Sequence, residues 1–390
     1  MMDWAALRGR WFRSRETGGV EPASRPRIAV VTDSSCSLPE HWAETPALAS
    51  LVRVVAMPVM IGDQIYGEGT DKMIGALALA LAQGQEVRTS RPAPGAFEAV
   101  YAELAAAGFE AVVSVHLSSR LSGTVDSARL AARSAAIPVQ VVDTASVAMG
   151  LGYAVQAAAR EALDGAGADD VAAAARASAA AAHILFYVPS LDQLRRGGRI
   201  GAAAGWFGTL FAVKPILAIR DGLVVPLERV RTAPKALARL QELSREELAR
   251  RSGPVRVAVH HFGNEAEAER LAAAVIHEVP DAEVMLCPLP AVLAAHAGLG
   301  VLAVAIAPSK PAGPALGAGT GTGPAAVRAP GIPGNIRGTG PAGGSGPAGA
   351  AGPGGEAGAG EEAAPGGRVG GPGTDGQPPN SLADPDRDID

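Results

Sequence analysis

Apolar residues along this chain gather in short unbroken runs separated by stretches with helical spacing. Residues 27–32 (RIAVVT), 111–117 and 139–143 each read as a strand apolar on both faces, the kind found inside a parallel sheet covered by helices. Between them the spacing predicts helices over 71–81, 95–107 (ending at Gly108), 122–134 and 147–163. Polar residues 33–37 form a loop, with Pro39 opening a helix. Residues 51–61 read as a second extended run with 63–66 pairing to it, and 89–94 as a loop. Strand and helix alternate, as in an α/β domain.

A second half begins near the Ala-rich helix predicted over 170–182. Strands follow at 184–188, 213–219, 223–230, 255–260 and 282–287, with helices at 235–250 and 265–279. Asp221-Gly222 between two of those strands is a hairpin signal, so this half is a mixed α+β layer. The expected architecture is α/β in two domains: an α/β/α layer with a mostly parallel sheet (27–165) and a mixed α+β domain (166–308). An N-terminal extension (1–26) precedes them and a disordered Gly/Pro-rich tail (309–390) follows, too poor in apolar pattern to offset its ordering entropy.

Composition narrows the function. The chain has 390 residues, 4% of them aromatic, and about half of its 49 glycines fall in the tail. Net charge is −5, much of it in the tail, and the rest is near neutral, which argues against a strongly basic nucleic-acid binder. Two cysteines, Cys36 and Cys287, are too few for a disulfide framework or a four-cysteine zinc site. The longest apolar stretches, 206–212 and 301–307, fall far short of the roughly 18 residues that span a membrane. Arg8, Arg10, Arg13 and Arg15 precede no apolar run, so a secretory signal is not expected and a cytoplasmic location is. Trp4, Leu7 and Trp11 could line one face of a basic helix that touches a membrane surface transiently, although a frayed extension is the simpler reading.

In an open α/β sheet, ligands bind beyond the carboxyl ends of the strands, here the loops 33–37, 118–123 and 143–146. The middle loop, SSRLSGT, runs straight into a helix. Ser122 is a natural N-cap, and Gly123 lets the backbone approach closely. A hydroxyl, free N–H groups and the positive helix end would converge on an anion such as a carboxylate; read alone, Ser122 is as well explained by capping. Thr89-Ser90-Arg91-Pro92 offers hydroxyls or is an ordinary turn. Arg195-Arg196-Gly197-Gly198-Arg199 suits an oxyanion or is a solvated cluster. His296, in an apolar stretch, is a ligand group or a core histidine. Gly298–Ala303 fits a dinucleotide fingerprint as a string, but no βαβ unit follows it. His260 and His261 would point to opposite faces of a strand, poor for metal ligation, and no metal or cofactor is expected.

Seven pieces occur in a telling order: VTDSSCSLP (31–39), VVAMPVMIGDQIYGEG (54–69), TSRPAPGAF (89–97), SSRLSGTVDSA (118–128), VVDTASVAMGLG (141–152), LRRGGRI (194–200) and KPIL…DG…ERVRT (214–232). Together they resemble the DegV family of bacterial fatty-acid-binding proteins, over about 27–307. The resemblance implies a two-domain protein that holds one long-chain fatty acid between its domains. It also implies, for some members, service as the lipid-loaded subunit of fatty acid kinase. A separate ATP-binding kinase subunit then phosphorylates the carboxylate, giving acyl phosphate for phospholipid synthesis. On the family pattern, Thr89 and Ser122 match the carboxylate-binding positions, with Gly123 beside them, and Arg199 and His296 match associated polar positions. Cys36 and Ser37 depart from the family's TDSTADLP, Leu299 replaces a proline after the histidine region, and the tail lies outside the pattern. The expected function is therefore a non-catalytic fatty-acid carrier. The alternatives are a serine-type lipid hydrolase or acyltransferase using Ser122, His296 and an aspartate such as Asp33, without the usual Gly-x-Ser-x-Gly elbow, or a regulatory scaffold with a degenerate lipid site.

Overall fold

The computed structural model describes residues 27–39, 42, 46–67, 71–200 and 213–309. The extension 1–26, most of the helix expected after Pro39, the 206–212 stretch and the tail beyond Ser309 lie outside the described residues.

β1 (Ile28–Asp33) is buried along its whole length, as a strand apolar on both faces requires. A tight turn over Ser34–Cys36 follows, and the Asp33 carboxylate accepts the Ser35 N–H at its start. The extended run expected over 51–61 is broken in two. Leu51 ends α1 (Pro46–Leu51), and Pro58 lies between β2 (Val52–Val55) and β3 (Val59–Ile61), which belong to different sheets. β4 (Gln64–Tyr66) pairs back onto β3, as expected for 63–66. Then come α2 (Asp71–Ala82), β5 (Val87–Thr89), α3 (Pro94–Ala106), β6 (Ala111–His116), α4 (Thr124–Ala132), β7 (Val139–Asp143), α5 (Ala148–Leu163) and α6 (Ala168–Ala181). Thr89, expected in a loop, is the last residue of β5 and pairs with Val59.

The second half contains β8 (His183–Tyr187), α7 (Asp192–Arg196), β9 (Lys214–Arg220), β10 (Leu223–Val230), α8 (Ala233–Ala249), β11 (Val255–Phe262), α9 (Glu265–Glu278), β12 (Glu283–Pro288), α10 (Ala291–Ala297) and β13 (Val301–Pro308). Asp221 and Gly222 both take left-handed angles (φ 49° and 76°), which gives the mirror-image turn that suits the strand twist of a β9–β10 hairpin. The run 301–307, noted above only for being too short to cross a membrane, is β13, a central strand between β8 and β11.

Three sheets result. The first, β2-β1-β6-β7, is wholly parallel. The second, β10-β9-β8-β13-β11-β12, is antiparallel except for its β11–β12 pair. The third is a small antiparallel β4-β3-β5 ribbon. α5 lies between the two large sheets, packing on β1 and β6 on one side and β13 on the other. Such a helix must be apolar all round, and 13 of its 16 residues are buried. The main core runs from the first sheet through α5 to the inner face of the second. A smaller core lies between that sheet's outer face and α8 and α9.

Polar contacts add to this packing. The Arg256 guanidinium of β11 sits 4.2 Å from the centre of the Tyr153 ring of α5 and donates to Gln156 Oε1 at 3.1 Å. The Met149 N–H donates to His260 Nε2 at 3.3 Å. At the hairpin tip, Ser118 Oγ donates to the Gly222 carbonyl at 2.7 Å and Arg120 to the Asp221 carbonyl at 3.2 Å.

Candidate functional site

An open cavity lies where loops at the carboxyl ends of the first sheet meet the second sheet and α10. Its walls are almost wholly apolar: Leu117 and Ala148 from the first half, Ile184, Phe186 and Ile219 from the second sheet, and Val292 from α10. The polar lining residues are Thr89, Ser90, Arg91, Ser122, Arg199 and His296. Four of the five residues singled out by sequence thus come together on one cavity, from elements up to 207 positions apart. The fifth, Gly123, is adjacent to it, beneath the Arg91 side chain.

Thr89 stands at the end of β5, and its Oγ1 lies 2.7 Å from Nε2 of His296 on α10. Gly197 lies against the Nδ1 edge of the His296 ring, where a β-carbon would overlap Nδ1. Burial, and then the positive charge of Arg199, push the His296 pKa down to about 4, so the ring is neutral at pH 7. Arg199 is tied to the backbone: Nε donates to Leu121 O at 3.0 Å and Nη1 donates to Gly197 O.

Ser122 departs from its expected local role. The N-cap of α4 is Gly123, with no side chain bonding the first turn, and the helix starts at Thr124 rather than 122. Ser122 Oγ instead lies 2.8 Å from Thr124 Oγ1 on the cavity lining. The hydrolase triad is not assembled either, since His296 bonds Thr89 and Asp33 is committed elsewhere.

Asp33 belongs to a buried polar chain that sequence reasoning did not single out. Its Oδ2 accepts from His116 Nδ1 at 3.0 Å and from the Leu117 N–H at 3.1 Å. His116 Nε2 lies 2.7 Å from Ser114 Oγ, which lies 2.8 Å from Tyr101 OH. Desolvation pushes the Tyr101 hydroxyl up to about 12, so it remains protonated as a member of the chain. Ser114 and His116, two apart in an otherwise apolar strand, were the available signal, because they share one face. The chain fixes the ends of β1 and β6, from which Leu117, Leu121 and Ser122 reach the cavity. Among the described residues no cluster of three His, Cys, Asp or Glu side chains could hold a metal ion, and both cysteines are buried and not joined in a disulfide.

The model of the DegV family, described as an uncharacterised protein family of that name, matches residues 27–309. This chain belongs to the DegV family. A DegV domain-containing protein of Streptomyces coelicolor is 43% identical over 280 residues, which is 72% of this chain and 98% of that protein. Protein DegV of Bacillus subtilis is 31% identical over 280 residues, 71% of this chain and 98% of its own length. Among solved structures, a DegV family protein from Thermus thermophilus, described by its fatty acid binding, is similar with TM-score 0.66 and 31% identity, covering 72% of this chain and 99% of that one. DegV of Bacillus subtilis, described as a fatty acid binding protein, has TM-score 0.64 and 29% identity, covering 72% and 99%. The DegV fold therefore accounts for the parallel sheet, the mixed sheet and the α5 layer between them. No helix among the described residues is long and apolar enough to cross a membrane.

Proposed function

We propose that this chain binds one long-chain fatty acid, with its tail in the apolar cavity and its carboxylate at the polar rim formed by Thr89, Ser122, Gly123, Arg199 and His296. The observation that carries the reading is the make-up of the lining: apolar walls, with Thr89 bonded to His296 and the Arg199 charge beside that ring at the polar rim. Burying some fourteen methylenes is worth on the order of 10 kcal/mol before binding costs, and a few fixed donors then suffice to orient the head group. The descriptions of the Thermus and Bacillus proteins as fatty acid binders support the same reading. Apolar walls also favour a working lipid site over a degenerate one.

We further propose that the chain acts as a non-catalytic carrier, presenting the carboxylate to a separate ATP-dependent kinase subunit for acyl phosphate formation. In support, the rim residues Ser90 and Arg91 are exposed to solvent, where a partner can reach the head group. Native mass spectrometry of protein made in bacteria is expected to show about one fatty acid per chain. Acyl phosphate is expected only when a kinase subunit and ATP are added. Apo protein unable to take up added fatty acid would overturn the binding reading. Acyl phosphate made by the isolated chain would overturn the carrier reading.

A further inference from the structure

Two arginines line the rim, and they are in opposite states. Arg199, the one expected from sequence, has Nε and Nη1 engaged by the carbonyls of Leu121 and Gly197. Arg91 has no acceptor for its guanidinium among the described residues, and only its own backbone carbonyl is bonded, by Ser90 Oγ. Its side chain lies flat across Gly123: a β-carbon there would stand 2.6 Å from Nη1 and 2.9 Å from Cδ. The glycine therefore makes room for Arg91 beside Ser122, on the cavity lining.

We propose that Arg91 is the residue that selects an acid head group, and that Arg199 is a positioning residue for the rim. This rests on the fatty-acid reading above and deepens it. A free guanidinium presents five N–H donors in a planar fork that matches the two oxygens of a carboxylate, and it offers nothing comparable to an alcohol or an ester. Arg199 instead ties the loop at Leu121 to the turn at Gly197 and places a positive charge beside His296, which helps keep that ring neutral.

The test compares a sixteen-carbon fatty acid with the matching alcohol and methyl ester, on the full chain and on the variants Arg91→Gln, Arg91→Lys and Arg199→Gln. Arg91→Gln is expected to weaken the acid about tenfold or more while changing the alcohol and ester less than about twofold. Arg91→Lys should fall between, because a point charge keeps the attraction and loses the fork. Affinity of the parent chain for the acid should fall as salt rises, and Arg91→Gln should flatten that dependence. Arg199→Gln should weaken acid and alcohol alike and lower the melting temperature. Arg91 is exposed, so its variants are expected to fold, and circular dichroism checks this. Unchanged acid affinity in Arg91→Gln, or equal losses for acid and alcohol, would overturn the assignment. A parent chain that binds none of the three ligands would instead overturn the fatty-acid reading on which it rests.

Discussion

His296 faces Thr89 as a neutral ring, and that neutrality has a measurable cost in acid. Burial and the Arg199 charge hold its pKa at about 4, and burial with the neighbouring His261 holds His260 at about 3. In the unfolded chain both return to about 6.5. Between those values the unfolded chain binds more protons than the folded one, so stability rises with pH. The contribution is whole above about pH 6.5 and is lost as pH falls toward 4 for His296 and toward 3 for His260. We expect the urea midpoint to drop steadily from pH 7 to pH 4, with a shallower drop in His296→Gln; an identical slope in that variant would contradict the assignment. Ser122 makes a sharper case. Because it caps nothing in α4, Ser122→Ala should cost less than about 1 kcal/mol of stability. The same change should weaken fatty-acid binding roughly ten- to a hundredfold, the worth of one hydrogen bond to a charged group. Chemical unfolding beside titration calorimetry separates the two, and a large stability loss at constant affinity would return Ser122 to a structural role. Thr89, Ser122, Arg199 and His296 were picked out through the family pattern, because each read alone was as well explained by a turn, a cap, a solvated cluster or a core histidine. The chain from Asp33 to Tyr101 was not, because its Asp33–His116 link needs the pairing of β1 with β6 and its Tyr101–Ser114 link needs the packing of α3 on β6; only Ser114 and His116 are neighbours in sequence.

At the scale of elements, long runs with one period were legible and broken ones were not. β7 begins and ends where its pattern does, and the Asp221-Gly222 signal placed the hairpin on its turn. α10 and β13 were missed for a physical reason. Val301–Pro308 is apolar on every residue, a pattern a buried strand shares with a helix fragment, and only its neighbours β8 and β11 decide between them. The hairpin does more than turn the chain, since its tip reaches the loop after β6. Gly222 combines a φ of 76° with a β-carbon position that would overlap Ser118 Oγ. Gly222→Ala should therefore lose the Ser118 bond and strain the turn, for about 1–3 kcal/mol in a urea titration. An unchanged midpoint would show that the tip moves aside freely.

At the scale of the molecule, every described strand lies between Ile28 and Pro308, and the DegV family model matches residues 27–309. Removing residues 311–390 is thus expected to shift the melting temperature by less than about 4 °C, roughly 1–2 kcal/mol for a body of this size, and to leave fatty-acid affinity unchanged. A larger drop in calorimetry would assign those residues a part in the fold. Within the described body, α5 is walled by a sheet on each side, so it cannot serve as a hinge. Parting the sheets would wet 13 buried residues of that helix at once, an opening that approaches global unfolding in cost. Traffic into and out of the cavity is accordingly expected at the short helices on its rim, α7 and α10, which pack on each other rather than on α5. Residence time becomes a property of that rim, and amide protons should report it: exchange slow throughout α5 whether or not a ligand is present, and fast in the rim until a ligand closes it.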